Sequence, residues 1–333
     1  MEKSAKNKRF FPQTAGSLIT TQVPLVSRER TIEEVQNLLF KKMKGFETVN
    51  YIYVVDEKRK LIGVFSIKEV FRKPKNLKVS DIMKKEIIKC RVSTDQERVA
   101  ILALKNNLKA IPVIDKENKF LGVIASDTIL NVLHQENVED ILLAGGISKL
   151  DNSFRALTTA EAGTLVKVRL PWLLLGLLGG VFVAQIIGFF EETLKSQILL
   201  ALFIPVIVYM SGAVATQTQT LIIRGIAINS KLDLKKYFLR EIKIGSLLAL
   251  ILGGVLTIIS FLWWQESSLA IILGLSLFLG ISLSVIVATL IPLILQKFKK
   301  DPAFGSGPFA TIITDILSIT AYFLIANLLF KIL

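Results

Sequence analysis

The chain has 333 residues, 52% of them apolar, and 41 Lys and Arg against 27 Asp and Glu give a formal net charge of +14. A single cysteine, Cys90, and a single histidine, His134, exclude an intrachain disulfide and a multi-histidine metal site. The basic N-terminus lacks an apolar segment, so we expect no cleavable signal peptide, and positive residues that flank apolar spans favour lipid headgroups over nucleic acid as partners.

The front half contains a tandem repeat. Residues 51–70, YIYVVDEKRKLIGVFSIKEV, align with residues 110–129, AIPVIDKENKFLGVIASDTI. Each copy predicts a β-branched strand, a polar turn, a second strand around a glycine and then a helix. A helix also precedes each copy, and Thr31 with Glu34 has the pattern of a capping box. The pattern predicts two α/β modules of the same fold.

The back half contains five apolar segments, and each is longer than the ~20 residues that cross a bilayer. The predicted spans are residues 170–190, 197–223, 243–264, 268–295 and 306–330. The loops 224–243 and 296–301 are rich in Lys and Arg, which places the N-terminal half in the cytoplasm and the C-terminus outside. The predicted fold is an α-helical membrane domain of five spans in the plasma membrane, preceded by a cytosolic α/β pair.

Asp315 is the only acidic residue within these predicted spans, about 14 Å along the fifth helix from Ser306. A lipid-facing carboxylate costs several kcal/mol, so Asp315 is expected to face a polar interior, either as a cation site or as a protonated structural residue. Thr311, Thr314, Gln217 and Ser211 offer further oxygen ligands. Without thiolate or imidazole nearby, these donors suit a hydrated hard cation such as Mg²⁺. One carboxylate per chain is little for a divalent ion, which favours a homodimer.

The repeat resembles a pair of CBS domains over residues 17–143, with about 17–83 and 84–143 as its two halves. In families with such pairs, a Ser or Thr and an Asp after the glycine strand contact an adenine nucleotide. Here Ser66 is kept but Glu69 replaces the Asp, and the second copy has Ala125 and Thr128. These departures weigh against ATP, with Ser66 and Glu69 as the remaining nucleotide candidates. They favour a dimerisation and gating platform.

The membrane half resembles the MgtE magnesium transporters. Residues 299–323, KKDPAFGSGPFATIITDILSITAYF, are similar to the family's fifth span, residues 204–227 to its second and 168–180 to its first. The resemblance implies a dimeric magnesium channel in which Asp315 is the pore carboxylate. It also implies a connecting helix at residues 144–168, and a variant in which a tail, residues 1–16, stands before the CBS pair instead of a helical domain.

Two differences from the family bear on selectivity and regulation. The second-span motif has Ala213 where relatives keep an Asn, so the selectivity among ions is expected to differ. The acidic stretch after the second copy is reduced to four residues, which are a regulatory magnesium site or a solvated helix face. These candidates are Asp127, Glu136, Glu139 and Asp140.

The residues and the resemblance together predict passive Mg²⁺ entry into the cytosol, gated by the CBS pair. No nucleotide-hydrolysis or hydrolase motif is present, so we expect no enzyme. Three alternatives stay open: transport of another divalent cation, Mg²⁺ transport coupled to Na⁺ or H⁺, and a CBS-based membrane sensor that does not transport.

Overall fold

The chain divides into two structural units, residues 1–136 and 137–333, in the computed structural model. The structure describes residues 10–147, 159–228, 232–298, 300–304 and 306–332.

The first repeat is a three-stranded sheet with helices at its ends. Its elements are β1 (Leu25–Val26), α1 (Ile32–Lys42), β2 (Tyr51–Val55), β3 (Leu61–Ser66) and α2 (Ile67–Arg72). β1 runs parallel to β2, and β2 pairs antiparallel with β3. The predicted capping box begins α1, because Thr31 accepts a hydrogen bond from the Glu34 amide and Glu34 accepts one from the Thr31 amide.

The second repeat has the same topology. Its elements are α3 (Val79–Ile82), β4 (Cys90–Arg91), α4 (Gln96–Lys105), β5 (Ala110–Ile114), β6 (Phe120–Ala125) and α5 (Ser126–Ala144). β4 is parallel to β5, and β5 is antiparallel to β6. The register of each hairpin shifts at the equivalent point, between Val54 and Val55 and between Val113 and Ile114. The predicted duplication is therefore confirmed down to its irregularities.

The two hairpins meet in a shared apolar core. The Tyr53 and Phe120 rings lie 5.2 Å apart between centroids, and Val23, Leu61 and Val123 are buried around them. This core joins the repeats into one body, and the strand ends and following helices of the first repeat border a cleft beside it.

The second unit holds five helices that are long and apolar enough to cross a membrane. Its elements are α6 (Ala162–Phe189), α7 (Glu191–Ser196), α8 (Leu199–Ile228), α9 (Leu234–Trp264), α10 (Ser267–Lys297) and α11 (Ser306–Leu329). α10 is the most buried and forms the centre of the bundle, in contact with α8, α9 and α11. The five predicted spans are confirmed as helices.

Two of the membrane helices begin earlier than the sequence predicts. α6 begins at Ala162 and α9 at Leu234, eight or nine residues before the predicted starts at 170 and 243. A hydropathy window stops at charged residues, but a helix continues through them where their side chains reach water or headgroups. The last part of the predicted connecting helix is thus the start of α6, and its residues 148–158 lie outside the described part.

Small residues allow close helix crossings in the bundle. A side chain on Gly253 of α9 would lie 2.7 Å from the Gly274 carbonyl oxygen of α10, and one on Gly245 would lie 2.7 Å from Val285. By contrast, α6 has no buried residue in the single chain, although it contacts α11. Most of the α6 surface is therefore free to meet lipid or another protein.

Candidate functional site

A cavity of about 1110 Å³ lies between α6, α8 and α11, with the end of α5 at one side. Its lining is mostly apolar, with a limited set of polar side chains. The polar lining residues are Asp140, Arg169, Thr216, Gln219, Thr220, Arg224, Thr311 and Asp315. An apolar cleft with a few convergent polar groups is the usual form of a small-ligand site.

Asp315 lies near the middle of α11, the fifth of the long apolar helices, and provides a carboxylate to the cavity lining. It is partly buried on the cavity lining, and within the described residues it takes part in no ion pair. Thr311 lies one turn earlier on the same face, and its hydroxyl donates to the Gly307 carbonyl at 3.0 Å. The threonine therefore keeps its oxygen lone pairs available as acceptors. Two of the predicted ligands, Asp315 and Thr311, thus share the cavity.

The facing side of the cavity comes from α8 in a helical repeat. Gln219 and Thr220 lie three and four residues after Thr216, and Ile223 lies four and three residues after them, which places all four on one side of the helix. The Thr216 hydroxyl donates to the Gly212 carbonyl at 2.9 Å, and the Thr220 hydroxyl donates to the Thr216 carbonyl at 2.8 Å. These hydroxyl oxygens and the Gln219 amide can accept hydrogen bonds from the water shell of a cation.

Three predicted ligands lie away from the cavity lining. Gln217 is exposed on another face of α8, because one residue along a helix turns the side chain by about 100°. Ser211 and Thr314 are fully buried in the bundle, and neither hydroxyl has a hydrogen-bond partner among the described residues. Ser211 faces Gly280 of α10. Thr216, Gln219 and Thr220 line the cavity although they were not in the predicted set.

An ion pair lies at one end of the cavity. Arg224 Nη1 is 3.2 Å from Asp140 Oδ2, and both side chains are partly exposed. Burial raises the pKa of the Asp140 carboxyl, the nearby charge of Asp301 adds to the increase, and Arg224 opposes it. The carboxylate is therefore only partly compensated by its arginine.

The end of α5 is fitted against the start of α11. Gly146 adopts a left-handed conformation with φ of 73°, and the amides of Gly146 and Ile147 return to α5 carbonyls. A side chain on Gly307 would overlap the Ala144 carbonyl oxygen, and one on Gly146 would meet Pro308. The contact leaves no room for a Cβ at either glycine, so it fixes where α5 ends beside the cavity.

The four predicted regulatory residues do not assemble into one metal site. Asp127 accepts from the Ser126 hydroxyl, Glu136 accepts from Gln96 at 2.6 Å, and Asp140 pairs with Arg224, while Glu139 is partly buried on α5. Across the described residues, no group of three or more His, Cys, Asp and Glu side chains is placed to hold a metal ion. A cation at any of these positions would need ligands from elsewhere.

The predicted nucleotide candidates border the cleft of about 600 Å³ in the first unit. Ser66 caps α2 by accepting from the Lys68 amide, and Glu69 pairs with Arg72 at 3.5 Å. The Tyr53 hydroxyl lies on the same lining, is buried and has no partner among the described residues. Both candidates therefore share one cleft, and the expectation that it holds no nucleotide stays a prediction.

The sequence prediction missed a buried carboxylate within one of the five long apolar helices. Glu241 lies within α9 and is 2% exposed, with Arg240 Nη2 at 3.4 Å and a hydrogen bond to Tyr237. The predicted third span began at 243, so the residue was assigned to a loop. A signal was available, because Glu241 is the only acidic residue between Leu234 and Trp264, in a basic stretch that continues directly into the apolar segment.

Comparisons with known proteins match both units. The MgtE family, described as a divalent cation transporter, matches residues 204–325, and CBS domains match residues 15–76 and 79–135. The magnesium transporter MgtE of Thermus thermophilus is 33% identical over 97% of this chain and 71% of its own length. The magnesium transporter MgtE of Bacillus subtilis is 32% identical over 94% of this chain and 69% of its own length.

Solved structures match the first unit. The cytosolic domain of the Mg²⁺ channel MgtE in complex with ATP is 35% identical over 37% of this chain and 50% of that chain, with a TM-score of 0.37. An enzyme, inosine-5'-monophosphate dehydrogenase of Methanocaldococcus jannaschii, matches 35% of this chain and only 23% of its own length. The similarity to enzymes is confined to the CBS region, whereas the similarity to transporters runs along nearly the whole chain.

Proposed function

Because this chain belongs to the MgtE family of divalent cation transporters, and so is a membrane transporter and not an enzyme, we propose that it carries Mg²⁺ along the cavity that contains Asp315. The observation that supports this pathway is the chemistry of the lining. A carboxylate that forms no ion pair with any described residue faces hydroxyl and amide oxygens, and no thiolate or imidazole lies among them. Hard cations prefer such oxygen ligands.

The ion is held with its water shell. Mg²⁺ loses its waters reluctantly, so Asp315 binds it through water while Thr311, Thr216 and Gln219 accept hydrogen bonds from that shell. A divalent charge about 5 Å from one carboxylate gains several kcal/mol at an effective dielectric constant near 20. That energy concentrates the ion in the cavity without the tight cage that would trap it.

A second copy of the chain completes the pathway. One carboxylate offsets half of the charge of a divalent ion, and two copies of Asp315 on a shared axis offset all of it. The membrane half of α6 supports this arrangement, because none of its side chains is buried in the single chain and Gly176 and Gly180 face open space. We therefore propose a homodimer whose pore lies at or near the subunit interface.

Transport is passive and directed into the cytosol. The basic residues at the end of α8 and the start of α9 support a cytoplasmic position for the first unit, on the side where the membrane potential is negative. For a divalent ion that potential supplies about 4.6 kcal/mol per 100 mV, which is enough without a coupled reaction. The CBS pair then acts as the gate.

Magnesium flux into proteoliposomes tests the proposal. Asp315→Asn removes the charge and keeps the shape, and we expect initial Mg²⁺ uptake under an inside-negative potential to fall at least about tenfold. Glu266→Gln is the matched control, because it neutralises a carboxylate at the start of α10 that does not line the cavity. Uptake by Asp315→Asn equal to that of Glu266→Gln would show that the pathway lies elsewhere.

The same vesicles distinguish the alternatives. A sensor that does not transport gives no flux with any ion. A transporter of another divalent cation gives uptake that Co²⁺ or Ni²⁺ outcompetes at equal concentration. Coupled transport loses its rate when the sodium or proton gradient is collapsed at a fixed potential, whereas the passive pathway proposed here keeps it. Gating predicts that Mg²⁺ on the side of the CBS pair lowers the flux.

A further inference from the structure

A basic stripe occupies the first turns of α9. Lys236, Arg240 and Lys243 follow one another at four- and three-residue spacing, so all three lie on one face of the helix, and all three are exposed. Lys236 and Lys243 are seven positions apart, or about 10 Å along the axis. Within the described residues, neither Lys236 nor Lys243 takes part in an ion pair.

The acidic residues near the stripe do not neutralise it. Glu241 points into the bundle, where it is 2% exposed, and of the three basic residues in the stripe it pairs with Arg240 alone. Asp233 precedes the helix, and its carboxylate accepts a hydrogen bond from the Lys236 amide as an N-cap. Arg240 also lies 4.6 Å over the Tyr237 ring, which holds its guanidinium beside the helix. The stripe therefore keeps a strong positive charge.

The same face continues as the lipid-facing side of α9. Leu247, Leu250, Ile258 and Phe261 continue the spacing and are 49–63% exposed. A bilayer has a headgroup layer of about 5–8 Å on each side of its apolar core, and long basic side chains extend toward that layer. A partner that complements both parts of this face has a negatively charged group next to an extended apolar region.

We propose that Lys236, Arg240 and Lys243 form a binding site for the phosphate headgroup of an anionic phospholipid, whose acyl chains lie along Leu247 and Leu250. An acidic protein or a nucleic acid would match the charges but not the apolar residues one turn further on. The site is independent of the transported ion and of the residues that line the cavity.

Native mass spectrometry of the full chain in detergent tests the site, with phosphatidylglycerol and phosphatidylcholine as probes. We expect phosphatidylglycerol to bind more tightly to the unaltered chain. Lys243→Gln is expected to weaken it by roughly fivefold, and the triple variant K236Q/R240Q/K243Q by more than tenfold, because each basic residue near an anionic surface contributes about that much. Binding of phosphatidylcholine should change less than twofold.

Lys235→Gln is the matched control, because Lys235 is exposed on the same turn but lies about 100° from the stripe. It removes the same charge and should change phosphatidylglycerol binding less than twofold, and Lys243→Arg should retain it. Equal losses in Lys235→Gln and Lys243→Gln would overturn the site in favour of general attraction. An unchanged triple variant that elutes as the unaltered chain does in gel filtration would also overturn it.

Discussion

The crossing of α9 and α10 gives a sharp prediction about how the membrane unit is stabilised. A Cβ on Gly253 would lie 2.7 Å from the Gly274 carbonyl oxygen and 3.4 Å from the Phe278 Cβ, whereas a Cβ on the neighbouring Gly254 meets nothing within 4 Å. The same substitution at adjacent positions therefore tests the packing, because both change helix propensity in the same way.

The expected magnitude follows from these distances. A carbon and a carbonyl oxygen rest at about 3.2–3.4 Å, so Gly253→Ala must separate the helices by roughly half an ångström, and such overpacking costs about 1–3 kcal/mol. Gly254→Ala is free of that cost and gains about 0.5–1 kcal/mol from the lower entropy of alanine. Gly253→Ala makes the same gain, which cancels in the comparison, so the two variants should differ by about 1–3 kcal/mol.

Thermal unfolding in detergent, followed by gel filtration after heating, measures the difference. At about 2–4 °C per kcal/mol for a unit of this size, Gly253→Ala should melt at least about 2 °C below Gly254→Ala. Thr257 also faces Gly274, so Gly274→Ala should be as damaging as Gly253→Ala. Equal melting temperatures for Gly253→Ala and Gly254→Ala would refute the proposed backbone contact.

Three further predictions concern other contacts. Burial raises the pKa of Asp140, so the folded chain binds the proton more tightly than the unfolded chain does. The stability of the fold therefore falls as the pH rises through that raised pKa. Asp140→Asn should raise the melting temperature at pH 7 and reduce the fall in melting temperature above pH 4, which thermal unfolding across pH measures. Thr31→Ala should destabilise the CBS pair by about 1 kcal/mol in urea unfolding, while Thr31→Ser, which keeps the hydroxyl, should not. Glu241→Ala should cost about 1–3 kcal/mol in thermal unfolding because it removes the hydrogen bond between the Tyr237 hydroxyl and a buried carboxylate, and Glu241→Gln should retain most of that stability.

The fold was predictable to the extent that its patterns are local. The repeat, the strand alternation and the capping box at Thr31 depend on neighbouring residues, and the structure confirms them. The start of α9 was not predictable from hydropathy, because nine residues of charged and apolar helix precede the apolar segment. Because of that error, the sequence prediction assigned the buried carboxylate of Glu241 to a loop and not to a membrane helix.

The types of ligand in the site could be predicted from the sequence, but the residues of α8 that face the cavity could not. A helix that is apolar on every side carries no period that tells which face meets a cavity, and α8 is of this kind. The choice between Gln217 and Gln219 is set by packing against α10 and α11, which buries Ser211 and Thr314 and leaves Thr216 on the cavity that Asp315 also lines. A carboxylate is different, because its cost in lipid forces it toward a polar interior whatever the packing. Asp315 could therefore be placed from the sequence alone, whereas its neutral neighbours needed the structure.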